Sequence, residues 1–168
     1  MAHDLAWLNT LPSEEAAKEL LQCCGSRRWA QEMAHRRPYQ SLETLIKTAN
    51  DVWWSLQPSD WFEAFRSHPK IGEKKAAESV SAQSREWSGQ EQAGVSKASQ
   101  ETIDSLATLN RAYEQKFAFI FIICATGKSS EEMLAALHER LEHDPAAELQ
   151  IAAAEQSKIT ELRLRKLI

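Results

Sequence analysis

Behind Ser99, the apolar residues Ile103, Leu106, Leu109, Tyr113 and Phe117 recur at steps of three and four. That spacing gathers them on one face of an α-helix. A helix with such a face must bury it against another element. No stretch of the chain alternates apolar and polar residues between hairpin turns, so the partners are read as further helices. Ser13 with Glu14 and Glu15, ahead of Ala16, Ala17, Leu20 and Leu21, predicts a helix over roughly 13–23. Ser41 caps a segment running through Leu42, Leu45 and Ile46 to Trp54, and Ser59 with Asp60 opens one carrying Trp61, Phe62 and Phe65. Ser130, Glu131 and Glu132 precede Met133, Leu134, Leu137 and Leu141, and Asp144 followed by Pro145 opens the last helix. The reading is an all-α fold: a compact single-domain bundle of about seven to eight helices over residues 1–168, without internal repeats.

Charge narrows the partners. The net charge is −4 and both signs are mixed along the chain, so no basic stripe is available for a phosphate backbone, and nucleic acid is not expected. The longest apolar run, FAFIFIICA at 117–125, is too short to span a bilayer, and MAHDLAW at the N-terminus has neither a basic leader nor a cleavable apolar stretch. No membrane association is expected. Cys23 and Cys24 are neighbours and Cys124 is remote. Three cysteines without even pairing point to reduced thiols and a cytoplasmic setting. The closing KLI departs from the peroxisomal SKL.

Three segments break the helical pattern. Residues 66–74 contain His68-Pro69 and Gly72, residues 84–96 carry Gly89 and Gly94 among helix formers, and residues 117–127 are β-branched and aromatic with no polar face. Local preference is sacrificed most often where a site needs open or strained backbone, so the three are expected to meet around one pocket. Pro69 biases His68 away from helical geometry and ends the helix before it. An imidazole at a helix C-terminus is favoured in its protonated form, which suits a proton donor; the plain alternative is a helix-stop histidine. Glu91 and Gln92 lie between two glycines, with freedom to turn both side chains toward a ligand rich in N–H and C=O groups, such as a ureide. The alternative is an exposed polar helix start.

Other chemistry finds little support. The five histidines show no ligand spacing, and His138 and His143 are five apart, on different helix faces. ATGKSS at 125–130 has the Gly-Lys-Ser of a phosphate loop but Ile122 where its first glycine belongs. Of the six tryptophans, most are expected to anchor the core with paired indole N–H groups, while Trp87 falls in the glycine-flanked segment and is a candidate pocket wall.

FRSHPKIG at 65–72, SGQEQAGV at 88–95, LNRAYEQKFAFIFII at 109–123 and ITELRLRKLI at 159–168 together resemble the 2-oxo-4-hydroxy-4-carboxy-5-ureidoimidazoline (OHCU) decarboxylase family, in its order and spacing. The chain departs from the family's Phe-Gly-Phe-Pro-Phe, carrying Ala118 and Ile120 at the glycine and proline positions. The resemblance implies a cofactor-free, metal-free decarboxylation in urate breakdown that yields (S)-allantoin. It implies His68 and Glu91 as the catalytic residues, His68 as the proton donor and Glu91 together with Gln92 holding the ureido and ring amides. Ser88 adds a hydroxyl, Pro69 a contact, and the backbone of Ile123, Cys124, Ala125, Thr126 and Gly127 further polar groups. Arg163 is suggested as a carboxylate partner only by the need for a cation. A homodimer is expected from the resemblance and the alanine-rich final helix. The competing reading is a helical protein-interaction module without catalysis, binding through its tryptophan-rich surface.

Overall fold

The computed structural model describes residues 2–73 and 80–168, so residue 74, the last of the first interruption, lies outside the described residues. Among them there are nine α-helices, one 3-10 helix and no strand. The all-α expectation holds, with short helices adding to the seven or eight read from the sequence. The chain divides into two compact units, residues 1–64 with 157–168 and residues 65–156.

The first unit is built from α1 (Leu5–Thr10), α2 (Ser13–Leu21), α3 (Arg27–His35), α4 (Leu42–Ser55), most of α5 (Pro58–Arg66) and residues 157–167 of α9 (Pro145–Leu167). Its core holds Leu8, Leu20, Trp29, Met33, Leu45 and Leu164, all fully buried. The indoles are paired as large buried donors must be: Trp29 Nε1 donates to the Ala49 carbonyl (3.1 Å) and Trp61 Nε1 to that of Trp53 (3.0 Å). Cys23 and Cys24 are buried free thiols. Burial pushes Cys24 up to about 12, against the pull of the Ser26 backbone, Thr160 and Arg163.

The second unit contains α6 (Ala82–Glu91), a 3-10 helix (Ala93–Lys97), α7 (Gln100–Phe117), α8 (Ser130–Leu141) and residues 145–156 of α9. Its core is aromatic. The Tyr113 ring lies 4.6 Å from Phe117, 5.4 Å from Phe121 and 5.8 Å from Phe119, and Phe65 packs 5.5 Å from Phe119.

Helix starts follow the serine and aspartate signals, shifted at three points. Ser41 and Ser99 cap α4 and α7 through the amides of Thr44 (3.1 Å) and Thr102 (3.2 Å), and Asp144 caps α9 through Ala147 (3.0 Å). Ser13 is instead the first residue of α2, behind Pro12. α5 begins at Pro58, and the Asp60 carboxylate receives the Gln57 N–H at 3.2 Å. Before α8 the cap is Ser129, in a reciprocal box with Glu132, while Ser130 sits buried in the first turn. Among the described residues no helix is long and apolar enough to cross a membrane.

Candidate active site

α7 is the rack on which the second unit hangs its irregular segments. Asn110, Tyr113 and Lys116 recur every three residues, near one face. Asn110 Nδ2 donates to the Ile71 carbonyl at 2.9 Å, fixing the segment after His68. Lys70 reinforces it from outside, 2.7 Å from Glu114. The Tyr113 hydroxyl reaches Glu148 of α9, and Lys116 Nζ reaches the Leu141 carbonyl at the end of α8.

His68 follows α5 by two residues, its N–H bonded to the Phe65 carbonyl (3.2 Å), and Pro69 is buried behind it. The ring is half-buried, and its Nε2 lies 2.6 Å from Oε1 of Gln156, a fully buried residue of α9. An amide oxygen accepts from a ring N–H, so this contact places a proton on Nε2 and sets the ring's orientation.

Ser88 and Glu91 lie one turn apart on α6 and are both buried. Gln92 follows, and its Oε1 accepts the Gly72 N–H at 3.1 Å, joining the first two interruptions. Residues 84–96 are therefore not the open segment read from the sequence. Gly89 is helical, and Glu91 is held by the last turn of a helix rather than by glycine freedom. Gly94 serves close packing instead. A Cβ there would stand 2.2 Å from the Lys128 carbonyl, so only glycine lets the 3-10 helix lie against the segment before α8. Trp87 is buried, as a pocket wall or a core anchor would be.

The third interruption leaves helix at Ala118, which takes the left-handed conformation (φ 63°) that glycine adopts without cost. Residues 120–125 then run without regular structure, with Phe121 to Ala125 buried, and turn at exposed Thr126 and Gly127. Burial, then the Glu155 carboxylate and more weakly that of Glu91, push the Cys124 thiol up against the pull of the Thr126 backbone and Lys128. Cys124 is thus an electrostatic neighbour of Glu91, and the 65–156 unit gathers all three interruptions.

Arg163 belongs to the first unit, where its Nη1 donates to the Gln22 carbonyl (3.4 Å) and its charge acts on Cys23 and Cys24. The alanine-rich final helix is used inside the chain, with Ala152 and Ala153 fully buried.

Sequence reasoning missed Gln156 and a second polar cluster. Arg140 Nε donates to Glu148 Oε1 at 2.5 Å, the Tyr113 hydroxyl donates to the same oxygen at 2.6 Å, and His143 Nδ1 lies 3.0 Å from Oε2. Arg140 Nη1 donates to the Ile122 carbonyl at 2.6 Å, and the guanidinium sits 4.5 Å from the Phe121 ring centre. Burial, reinforced by the bond to Glu148, pushes the Tyr113 hydroxyl up against the pull of Arg140 and keeps it a donor. A signal existed. Glu148, Ala152 and Gln156 are four apart on α9, and Arg140 continues the Met133–Leu137 face of α8, so these polar residues occupy core register.

The family model for OHCU decarboxylase matches residues 9–165. The chain belongs to the OHCU decarboxylase family. It is 44% identical to the uric acid degradation bifunctional protein TTL of Arabidopsis thaliana over 86% of its own length and 45% of that protein. It thus spans less than half of that bifunctional relative. With the 2-oxo-4-hydroxy-4-carboxy-5-ureidoimidazoline decarboxylase of Amia calva it shares 33% identity over 79% of this chain and 75% of that one. A crystal structure of an OHCU decarboxylase in the presence of (S)-allantoin superposes with a TM-score of 0.77 at 41% identity, covering 89% of this chain and 96% of the other.

Proposed function

We propose that this chain decarboxylates 2-oxo-4-hydroxy-4-carboxy-5-ureidoimidazoline to (S)-allantoin. The observation that carries the reading is the convergence, within an OHCU decarboxylase family member, of the His68, Glu91–Gln92 and 118–127 segments. The substrate's ring carbon bears both a carboxylate and a hydroxyl and adjoins a C=N bond. When the bond to the carboxylate breaks, its electron pair flows toward that nitrogen and CO2 departs, so the substrate is its own electron sink. The neighbouring carbon then takes a proton on one face, the hydroxyl gives up its proton to become the carbonyl of allantoin, and the ring nitrogen that received the electron pair takes up a proton as N–H.

His68 supplies that proton, with its ring oriented through Nε2 by Gln156. Glu91 accepts hydrogen bonds from the ureido N–H groups. Gln92, whose oxygen already receives Gly72 N–H, contributes its amide N–H, and Ser88 contributes its hydroxyl. Pro69 and the backbone of 123–127 complete the contacts. The protein acts in the cytoplasm as a homodimer; a monomer mass in light scattering at micromolar concentration would remove the dimer from this reading.

Catalysis is tested by mixing the protein with substrate freshly generated from urate and following CO2 release. Release well above the protein-free rate is expected. Release at the control rate would leave the helical interaction module as the better reading.

A further inference from the structure

Ile122 immediately precedes the backbone assigned to substrate, and its carbonyl is bonded to a guanidinium from another helix. An arginine with 7% of its side chain exposed, beside a fully buried carboxylate, is an expensive way to hold one carbonyl. Everything around it serves to fix its plane. Glu148 Oε1 takes Arg140 Nε, the Tyr113 hydroxyl braces the same oxygen, His143 braces Oε2, and the Phe121 ring lies 4.5 Å from the guanidinium carbon. Because guanidinium is planar with donors in a fixed fork, orienting Nε toward Glu148 also determines where Nη1 points. Downstream, the segment is fitted again where Gly94 meets the Lys128 carbonyl. Between those two restraints lie Cys124, within the field of Glu91, and the turn at Gly127.

We propose that Arg140, held by Glu148, Tyr113 and His143, is a positioning residue that fixes the Ile122 carbonyl and thereby the substrate-facing backbone of residues 123–127. The inference takes its substrate from the reading above, but its structural half stands without it. An ammonium in place of the guanidinium keeps charge for Glu148 while losing the fork that spans to Ile122.

The test uses the full chain with Arg140→Lys and, as the milder change, Glu148→Gln, which leaves Arg140 in place but weakens the group that orients it. N-ethylmaleimide labelling resolved by mass spectrometry reads the three thiols separately. Cys124 is 8% exposed and Cys23 and Cys24 are 0% exposed, so each reports its own surroundings. Labelling of Cys124 alone is expected to accelerate about tenfold in Arg140→Lys, the loss of one charge-assisted bond, and less in Glu148→Gln. KM is expected to rise about as much, with kcat changed far less, because the backbone holds substrate in ground and transition states alike. Unchanged Cys124 labelling in both variants overturns the proposal. So does acceleration shared equally by Cys23 and Cys24, which would make the cluster a general stabiliser, or faster Cys124 labelling without a change in KM. If the unsubstituted protein shows no turnover, the reaction assignment falls while the labelling still decides what Arg140 holds.

Discussion

Residues 65–156 contain two polar clusters made from similar groups. In one, His143, Tyr113 and Arg140 converge on Glu148, whose two oxygens face three donors and which is wholly buried. In the other, half-buried His68 meets the neutral amide of Gln156, while Glu91 and Gln92 sit at the end of α6. The first is closed: its donors are spent on one another and on a backbone carbonyl. The second pairs its histidine with an uncharged amide oxygen, which orients the ring. A buried carboxylate with three donors holds structure, whereas the half-buried histidine oriented by an amide is the group to which the proposed reaction assigns the proton.

Substitutions can break or sharpen that contrast. The largest effect is expected at His68: His68→Asn should lower kcat by about 10² to 10⁴ while leaving substrate affinity and melting temperature close to the parent's, measured by steady-state kinetics and calorimetry. Glu148→Ala should do the reverse, costing about 3–5 kcal/mol of stability by denaturant unfolding, because it strands Arg140 in the interior. If Glu148→Ala melts like the parent, the two clusters are not different in kind. Next comes Glu91→Gln, which keeps shape and removes charge; calorimetric titration with allantoin should show affinity weakened by about 1.5–3 kcal/mol. Equal affinity would remove Glu91 from the anchors. The smallest effect is a gain. Ala118→Gly relieves a left-handed alanine, and after glycine's greater unfolded-state entropy is subtracted, about 0.5–1 kcal/mol of added stability should remain in thermal unfolding.

The two clusters also differ in how far the sequence disclosed them. His68 was legible because Pro69 dictates where its helix stops, and Glu91 with Gln92 because they fall in a recognisable motif. Glycine freedom is the wrong reason for that pair: Gly89 lies inside α6, and Gly94 is required by the Lys128 carbonyl, a contact between segments more than thirty residues apart. Glu148, Arg140 and Gln156 carry charged and amide groups of the kind that usually face solvent. Only partners remote in sequence make their burial tolerable, and periodicity shows the register of such residues without revealing what they meet. The helices themselves were legible because caps and apolar spacing act within a few residues; the cap moves by one residue at Ser13 and Ser130, and α5 begins at Pro58, just before Ser59. Ala118 was visible as a departure from the Phe-Gly-Phe-Pro-Phe pattern, and its left-handed geometry shows that the chain leaves helix there without glycine.

The central claim is that His68 delivers one proton to one face of the decarboxylated intermediate. Circular dichroism, followed from the moment fresh substrate meets the protein, tests it directly. The signal of (S)-allantoin should develop far faster than in the protein-free control and should fall to the control rate with His68→Asn. Racemic allantoin from the unsubstituted protein, or the same chiral signal at the same rate from His68→Asn, would contradict the claim.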